Sequence, residues 1–300
     1  MITAVELGLI YAIMALGVYL TFKILDFPDL TVDGSFTTGA AVAAVSIING
    51  VPPLLATAMA FGAGLAAGVV TGLLHTKGRI NGLLAGILTM IALYSINLRI
   101  MGKANLPLLR EETLITPLRE AGLLGGIVSI LLFLLVALVV KLVLDWFLHT
   151  DVGLAMQATG DNEQMIRSFG VSTDNQKILG LALSNGLVAT CGAFIAQYQG
   201  FADIGMGIGL ILAGLASVII GQAIFGSRLI WIATLAVVLG SVLYRVVIQL
   251  ALQAGLQPND MKLISAVLVV LALVLPQWSG FKKIAGRMGT RKAAAKGAEV

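Results

Sequence analysis

Residues 148–178 read LHTDVGLAMQATGDNEQMIRSFGVSTDNQKI, a long polar segment in a chain that is otherwise almost continuously apolar. Hydrophobic residues make up 58% of the 300 positions and charged residues 11%, and the mean hydropathy is +0.99. Soluble globular proteins are typically about 45–50% apolar and about 25% charged. The composition therefore predicts a membrane protein with several spans, and the polar segment must connect two of them.

Apolar runs on either side of this segment are long enough to form helical spans, which need roughly 20 residues each. The runs lie at 2–22, 30–50, 53–74, 81–101, 121–146, 178–198, 206–226, 228–250 and 260–277. The first run lacks the basic leader and the cleavage site of a signal peptide, so we expect it to be retained as a span. The predicted fold is an all-α bundle of about nine transmembrane helices.

Basic residues predict how the bundle is oriented. Lys or Arg occurs in the connections 75–80, 147–177 and 227–228 and in the C-terminal tail, and a nine-span count places all four on one side. By the positive-inside rule that side is cytoplasmic, so the N-terminus lies outside. Tryptophan, which prefers the membrane interface, falls at predicted cytoplasmic span ends: Trp146, Trp231 and Trp278. The net charge of +4 is spread over connections and tail, which argues against a nucleic-acid partner.

Charged residues inside the predicted spans are few. Arg99, Lys141 and Arg245 each lie near a span end, so we expect their side chains to reach the interface by snorkelling. Cys191 is the single cysteine and lies in an apolar run, which excludes an internal disulfide and predicts a small buried residue.

An internal repeat relates the two halves of the chain. Residues 7–30 and 179–204 both open Leu-Gly-Leu, run through one span, and reach Phe-x-Asp followed by Leu or Ile. In the predicted topology the two copies cross the membrane in opposite directions. Spans 1–4 and 6–9 are therefore expected to form inverted repeats flanking span 5, with a central pathway at their interface. Chance similarity between two apolar helices is the alternative explanation.

Two short polar segments, 28–35 and 200–207, are rich in residues that break or cap helices. One interpretation is structural, with Asp33 or Ser35 capping the second span. The other is functional, with both segments acting as gates at the ends of a pathway, because non-helical backbone at membrane depth must line a cavity or pack within protein.

Sequence motifs for catalysis are missing from the chain. It has no G-x-x-x-x-G-K-[ST] phosphate loop, no H-E-x-x-H and no cluster of cysteine and histidine, so we expect no enzyme activity, no cofactor and no metal. A carboxylate in mid-span would indicate ion coupling, but the acidic residues all lie near predicted span ends. Uncharged polar side chains remain within the spans, and they suit either a solute pathway or hydrogen bonds between helices.

Four stretches resemble the membrane subunits of ABC importers in the branched-chain amino acid and ribose permease group. They are residues 29–35 (DLTVDGS), 81–89 (NGLLAGILT), 160–162 with 170–171 (GDN and GV), and 213–221 (AGLASVIIG). Within that group the chain most resembles the subgroup associated with tryptophan or tyrosine uptake and with uncharacterised substrates, through residues 197–203 (QYQGFAD) and the turn at Asp33.

The resemblance implies a permease domain over residues 1–280, a basic cytoplasmic tail over 281–300, and a homodimer in the lipid of the plasma membrane. It also implies two partner ATPases, which bind ATP, and an extracytoplasmic substrate-binding protein. The coupling segment at 148–178 would dock on the ATPase, with Arg167 available to an acidic group on it. A plain surface helix is the alternative. The implied coupling residues are Gly160, Asp161, Asn162, Glu163, Met165, Ile166, Arg167 and Phe169.

The resemblance implies that the protein passes a small polar solute across the membrane. The group as a whole suggests an amino acid, and the subgroup suggests an aromatic one. Sugar or nucleoside cargo, an ion-coupled secondary transporter and a passive channel stay open as alternatives. The candidate pathway and gate residues are Asp29, Asp33, Ser35, Tyr94, Asn97, Asn185, Gln197, Phe201 and Asp203.

Overall fold

A computed structural model of the protein describes residues 1–255 and 261–274, which form a helical bundle. The helices that coincide with the predicted spans are α1 (Ile2–Tyr19, continued by a π-helical turn at Leu20–Ile24), α2 (Thr31–Ile48), α3 (Pro53–Thr76), α4 (Gly82–Met101), α6 (Ile127–Leu148), α9 (Thr173–Gln199), α10 (Leu210–Phe225), α11 (Ile230–Gln253) and α12 (Met261–Val274). Short helices lie in the connections: α5 (Thr116–Glu120), α7 (Asp151–Asp161) and α8 (Glu163–Ser168). Strands β1 (Asn105–Pro107) and β2 (Phe201–Asp203) pair in antiparallel register.

Seven helices in the described part of the chain are long and apolar enough to cross a membrane. Helix α10 is apolar but has 16 residues, and α12 has 14 described residues. The multi-span helical architecture is therefore confirmed, whereas the count of nine stays a prediction. Trp278 and the tail at 281–300 lie outside the described residues.

Two span boundaries differ from the predicted ones for local reasons. Helix α6 begins at Ile127 instead of 121, because Gly122 and Gly125 adopt left-handed backbone conformations that end the preceding segment. Helix α9 begins at Thr173 instead of 178, since the polar residues at its start continue the helix beyond the apolar run. Hydropathy marks where apolar residues end, and a helix does not have to end there.

Helix α9 lies at the centre of the bundle and packs against α1, α2 and α3. A Cβ atom at Gly64 or Gly68 of α3 would come within 2.3 Å and 2.2 Å of backbone oxygens of α9. Small residues let helix backbones approach closely, which drives association in lipid, where apolar burial gives little advantage. Gly64 and Gly68 therefore form a small-residue packing face on α3.

Helices of the first and second halves contact one another in matching pairs. The pair α3–α9 has its counterpart in α1–α11, and α2–α9 has its counterpart in α1–α10. Within each half, α2 contacts α3 and α4, as α10 contacts α11 and α12. Helix α6 packs against α1 of the first half and α11 of the second.

The snorkelling prediction is wrong for Lys141. Its ammonium lies 2.5 Å from the Asp145 carboxylate one turn later, and its side chain is 8% exposed. Asp145 also accepts a hydrogen bond of 2.6 Å from the Thr234 hydroxyl on α11. Burial makes this pairing necessary, because an isolated charge away from water is strongly disfavoured. The guanidinium of Arg245 lies 3.7 Å from the ring centroid of Tyr11, so this charge is packed between α11 and α1.

Candidate coupling surface and transport path

Helices α7 and α8 form the polar segment, and local capping starts both of them. The Thr150 hydroxyl accepts a hydrogen bond from the Gly153 amide at the start of α7. The Asn162 side chain accepts a hydrogen bond of 3.0 Å from the Met165 amide at the start of α8. Asn162 thus separates the two helices and caps the second.

The outer side of α8 carries apolar groups in solvent. Phe169 is 74% exposed and Met165 is 49% exposed, while Ile166 is half-buried. An exposed phenylalanine beside a methionine is an unfavourable surface for a protein that works alone, and such groups are typical of protein interfaces. The surface formed by Met165, Ile166 and Phe169 is named the α8 patch below.

Arg167 is held within the chain. Its guanidinium donates to Glu163 at 2.7 Å and to Asp174 at 3.3 Å, and its Nε donates to the Thr173 hydroxyl at 2.7 Å. Lys177 donates to the second oxygen of Glu163 at 2.7 Å. This hydrogen bond from Lys177 is the main reason that the pKa of Glu163 is lowered from its ordinary value of 4.5. The network fixes α8 to the start of α9, so Arg167 orients the α8 patch.

Helix α7 is pressed against the ends of two spans. A Cβ atom at Gly160 would lie 1.9 Å from the carbonyl oxygen of Ile24, in the π-helical turn that ends α1. A Cβ atom at Gly153 would lie 2.2 Å from the carbonyl oxygen of Phe147 on α6. Neither contact leaves room for a side chain, so α7 packs directly on the backbone at the ends of α1 and α6. Asp161 is exposed beside this contact.

Beyond the end of α1, a buried polar network joins α1, α2 and α9. The Asp29 carboxylate is 2% exposed and accepts hydrogen bonds from the Thr31 amide at 2.9 Å and from the Asn185 side-chain amide at 2.7 Å. The Asn185 oxygen accepts a hydrogen bond of 2.7 Å from Ser35. Buried polar groups with complete partners specify one packing arrangement. These three predicted pathway residues therefore meet, but in the interior of the bundle.

Asp33 caps a helix other than the predicted one. Its carboxylate accepts hydrogen bonds from the Gly209 amide at 2.7 Å and from the Ile211 amide at 2.9 Å, at the start of α10. The negative charge also complements the N-terminal end of the α10 dipole. The prediction that Asp33 or Ser35 caps the second span is wrong, because α2 begins at Thr31 and its first amide is bonded to Asp29.

The predicted pathway residues of α4 border a cavity of about 420 Å³ between α2, α4 and the segment before α10. Tyr94 is 49% exposed and Asn97 is fully buried. The side-chain nitrogen of Asn97 donates to the Gly34 carbonyl at 3.4 Å, whereas its side-chain oxygen has no hydrogen-bond partner. We name this space the α4 cavity. It brings Asp33 of α2 together with Tyr94 and Asn97 of α4.

Gln197, Phe201 and Asp203 lie at the other end of α9, away from α8. Gln197 is fully buried, donates to the Thr57 hydroxyl at 2.9 Å, and accepts from the Leu114 amide at 3.1 Å. Asp203 accepts from the Gly205 amide at 2.8 Å, which shapes the turn before α10. Phe201 is 37% exposed at the edge of the β1–β2 pair. Gln197 and Asp203 thus have structural bonds, whereas the Phe201 side chain is partly exposed.

Sequence reasoning missed the buried carboxylate of Glu6. It is fully buried and accepts hydrogen bonds from the Gly125 amide at 2.9 Å, from the Tyr198 hydroxyl at 2.7 Å, and from the Ser129 hydroxyl. These bonds tie α1 to α6 and α9 at the end where the chain begins. The available signal was a single acid near the start of an apolar span, which is costly unless it has partners.

Metal-ligating residues do not converge in the part of the chain that the structure describes: no group of three or more His, Cys, Asp or Glu side chains could hold an ion. The arrangement contains an exposed apolar patch on α8, a close backbone contact between α7 and the ends of the spans, and a cavity beside α4. Parts arranged in this way can couple a movement at one end of the bundle to the opening of a path for a solute along the bundle.

Known proteins were compared with the chain. Residues 1–274 match the family model described as the branched-chain amino acid transport system permease component. A tyrosine transport system permease protein of Clostridioides difficile (strain R20291) is 46% identical over 272 residues, which cover 91% of this chain and 90% of that protein.

Two solved structures share the fold. PsaBC from Streptococcus pneumoniae in complex with Fab aligns with a TM-score of 0.53 at 16% identity, over 90% of this chain and 89% of that chain. A putative metal-chelate type ABC transporter in an inward-facing conformation aligns with a TM-score of 0.52 at 14% identity, over 92% and 84%. The resemblance found in the sequence is thereby confirmed, and the chain belongs to the branched-chain amino acid transport system permease family of ABC transporters.

Proposed function

We propose that this permease is the membrane subunit of an ATP-driven importer of aromatic amino acids, with tyrosine as the first cargo to test. The observation that carries the proposal is the 46% identity to a tyrosine transport permease, which extends over nearly the whole of both chains. In this proposal the chain contributes the path, and partner ATPases bind and hydrolyse ATP. An extracytoplasmic binding protein delivers the amino acid.

The orientation of the bundle follows the basic residues. Lys77, Arg79, Arg167 and Lys177 lie in the α3–α4 connection and in the α7–α9 region, at one end of the bundle. Lys77 lies 3.4 Å from Asp174, which supports the placement of both connections on the same side. That side is cytoplasmic in our proposal, because basic residues concentrate there in plasma-membrane proteins. The N-terminus is then outside.

The α8 patch is the proposed contact with the ATPase. Phe169 and Met165 supply apolar area that water covers in the isolated chain, and the bonds of Arg167 keep that area in a fixed position. An apolar anchor at the centre of an interface contributes more binding energy than charged groups at its edge. Movement of the ATPases would pass through α7 to the ends of α1 and α6, since Gly160 and Gly153 leave no slack there.

The matching helix contacts support an inverted repeat of α1–α4 and α9–α12. Every principal contact in the first half has a counterpart in the second, and α1 and α9 meet each other as the first helices of their repeats. Transporters of this kind place the path at the interface of repeats or subunits. A second copy of the chain would complete the path along the exposed face of α4, where Leu84, Leu88 and Ile91 are more than half exposed.

Purified permease, reconstituted in liposomes with its ATPase and binding protein, tests the function. We expect uptake of L-tyrosine that requires ATP and the binding protein, with D-ribose transported poorly. Uptake driven by a proton or sodium gradient without the ATPase would favour a secondary transporter, and flux with neither energy source would favour a channel. Either outcome contradicts the proposal.

The docking surface is tested by Phe169→Glu, which places a charge at the centre of the α8 patch. We expect the variant to lose co-purification of the ATPase and to lose ATP-driven uptake. Leu109→Glu is the matched control, because Leu109 is 71% exposed in the connection between β1 and α5, far from α8 in sequence. Equal ATPase recovery with both variants would count against the α8 patch as the docking site.

A further inference from the structure

The α4 cavity has the size and lining of a small-molecule site. Its volume of about 420 Å³ falls within the range of roughly 300–1,000 Å³ that is usual for such sites. Apolar side chains form most of its wall, with a few polar groups among them. The apolar residues are Met90, Ile91, Ile204 and Ile208.

The polar side of the cavity requires a hydrogen-bond donor. Asn97 is fully buried and its side-chain oxygen has no partner, which is rare for a buried acceptor and costly if it stays unbonded. Asp33 also borders the cavity, and its carboxylate is bonded to the Gly209 and Ile211 amides at the start of α10. A ligand that offers an N–H donor to the Asn97 oxygen would complete this wall.

The apolar side favours an aromatic ring over a sugar. The Tyr94 ring and the Met90 thioether border the cavity, and both make favourable contacts with an aromatic side chain. A sugar would place hydroxyl groups against Ile91, Ile204 and Ile208, where they would lose hydrogen bonds to water without replacement. The lining therefore combines a wall for an ammonium group with a wall for a ring.

We propose that the α4 cavity binds the transported amino acid within the permease, with its ammonium group at Asn97 and its aromatic side chain against Met90 and Tyr94. This inference rests on the proposed function, because it assumes that the solute passes along the face of α4. The permease then contributes to the selection of cargo in addition to the binding protein. The site is weak, since it offers few polar contacts, and weak binding lets the solute leave again.

Equilibrium binding of radiolabelled L-tyrosine to the permease–ATPase complex in lipid nanodiscs, without binding protein, tests the site. We expect binding that L-phenylalanine displaces and that L-alanine and D-ribose do not. Asn97→Leu keeps the size of the side chain and removes the acceptor, so tyrosine affinity should fall by roughly tenfold. Leu54→Ala, at an exposed position of α3 that does not border the cavity, is the control and should bind tyrosine as the wild type does.

A second variant keeps the test independent of folding around Asn97. Ser95 borders the cavity from an exposed position, so Ser95→Phe fills part of the space without disturbing a buried contact. We expect it to abolish tyrosine binding while thermal unfolding of the complex stays unchanged.

Several results would overturn the site: no tyrosine binding by the wild type in nanodiscs, displacement by ribose as effective as by phenylalanine, or unchanged affinity in both variants. Binding in detergent that disappears in lipid would show that acyl chains fill the cavity, and would also overturn it. These failures are separate from that of the proposed function. ATP-driven tyrosine uptake by the wild type with none of these binding effects contradicts the site alone, whereas the absence of such uptake contradicts the function.

Discussion

Replacing Gly160 by alanine should disconnect α7 from the end of α1. The added Cβ atom would lie 1.9 Å from the Ile24 carbonyl oxygen, whereas real Cβ contacts stay above 3.0 Å, so the two backbones must separate by about 1 Å. The contact joins the backbone of α7 to the backbone of the π-helical turn that ends α1, so no flexible side chain can move aside. Overpacking of this kind costs about 1–3 kcal/mol. We therefore expect α7 to tilt away from α1 while the α8 patch keeps its own structure.

Uptake and ATP hydrolysis measured on the same reconstituted complex give the readout. For Gly160→Ala we expect the number of tyrosine molecules imported per ATP to fall severalfold, since ATPase movement no longer reaches α1 in full. Gly62→Ala is the matched control, because a Cβ atom at Gly62 in α3 meets nothing within 4 Å. The control should be neutral or slightly stabilising, as alanine favours helix over glycine by about 1 kcal/mol. Wild-type coupling in Gly160→Ala, with unchanged thermal stability, would refute the reasoning.

Three further predictions concern the polar networks. Asn185→Leu removes the 2.7 Å hydrogen bond from the side-chain amide to the buried Asp29 carboxylate, and thermal unfolding in detergent should show a loss of about 2–4 kcal/mol. Lys141→Met should destabilise the protein by about 3–5 kcal/mol, because it leaves the buried Asp145 carboxylate without its ion-pair partner. The double variant with Asp145→Leu should recover most of that loss. If the effects of the two substitutions on stability simply add, the pair is not coupled. Because the pKa of Glu163 is lowered, its contribution to the stability of the α8 network is complete above the ordinary value of 4.5 and is lost as pH falls through the lowered pKa. Hydrogen exchange of the α8 amides should show this loss, and Glu163→Gln should remove the pH dependence.

The helices and their order were predictable from the sequence because lipid imposes a simple rule. A span must be apolar and long enough to cross the bilayer, and a hydropathy profile of the sequence shows both properties. The capping at Asn162 was also predictable, since the polar residues at the start of α8 stand just before its apolar face. Local rules therefore located the polar segment and its short helix.

Partners distant in sequence were not predictable. Asp33 looked like a cap for α2, yet it caps α10, because helix packing brings residues 33 and 209 together. Lys141 looked like an interfacial charge, but it is buried and paired with Asp145. The position of the Arg245 guanidinium over the Tyr11 ring was not predictable either, because the two residues lie at opposite ends of the sequence. Periodicity and composition indicate that a charged residue within a span requires a partner, but only the folded structure shows which residue is that partner.

The glycines also have some roles that the sequence predicts and others that only the structure shows. The glycines of α3 indicated close packing, and Gly64 and Gly68 do lie against α9, while Gly62 faces open space. Gly160 appeared only as part of a family motif, and the structure adds a physical reason for it: the close contact with Ile24. A sequence alone does not tell a packing glycine from an exposed one on the same helix.

The accessibility of residue 169 tests the central claim most directly, because the proposed coupling requires α8 to lie in the cytoplasm. Phe169→Cys can be labelled with a membrane-impermeant maleimide in inside-out and in right-side-out vesicles, and the native Cys191 is buried and should contribute little background. Leu109→Cys serves as the opposite marker. We expect Phe169→Cys to react only in inside-out vesicles and to be protected when the ATPase is bound. Labelling of Phe169→Cys in right-side-out vesicles would contradict the account.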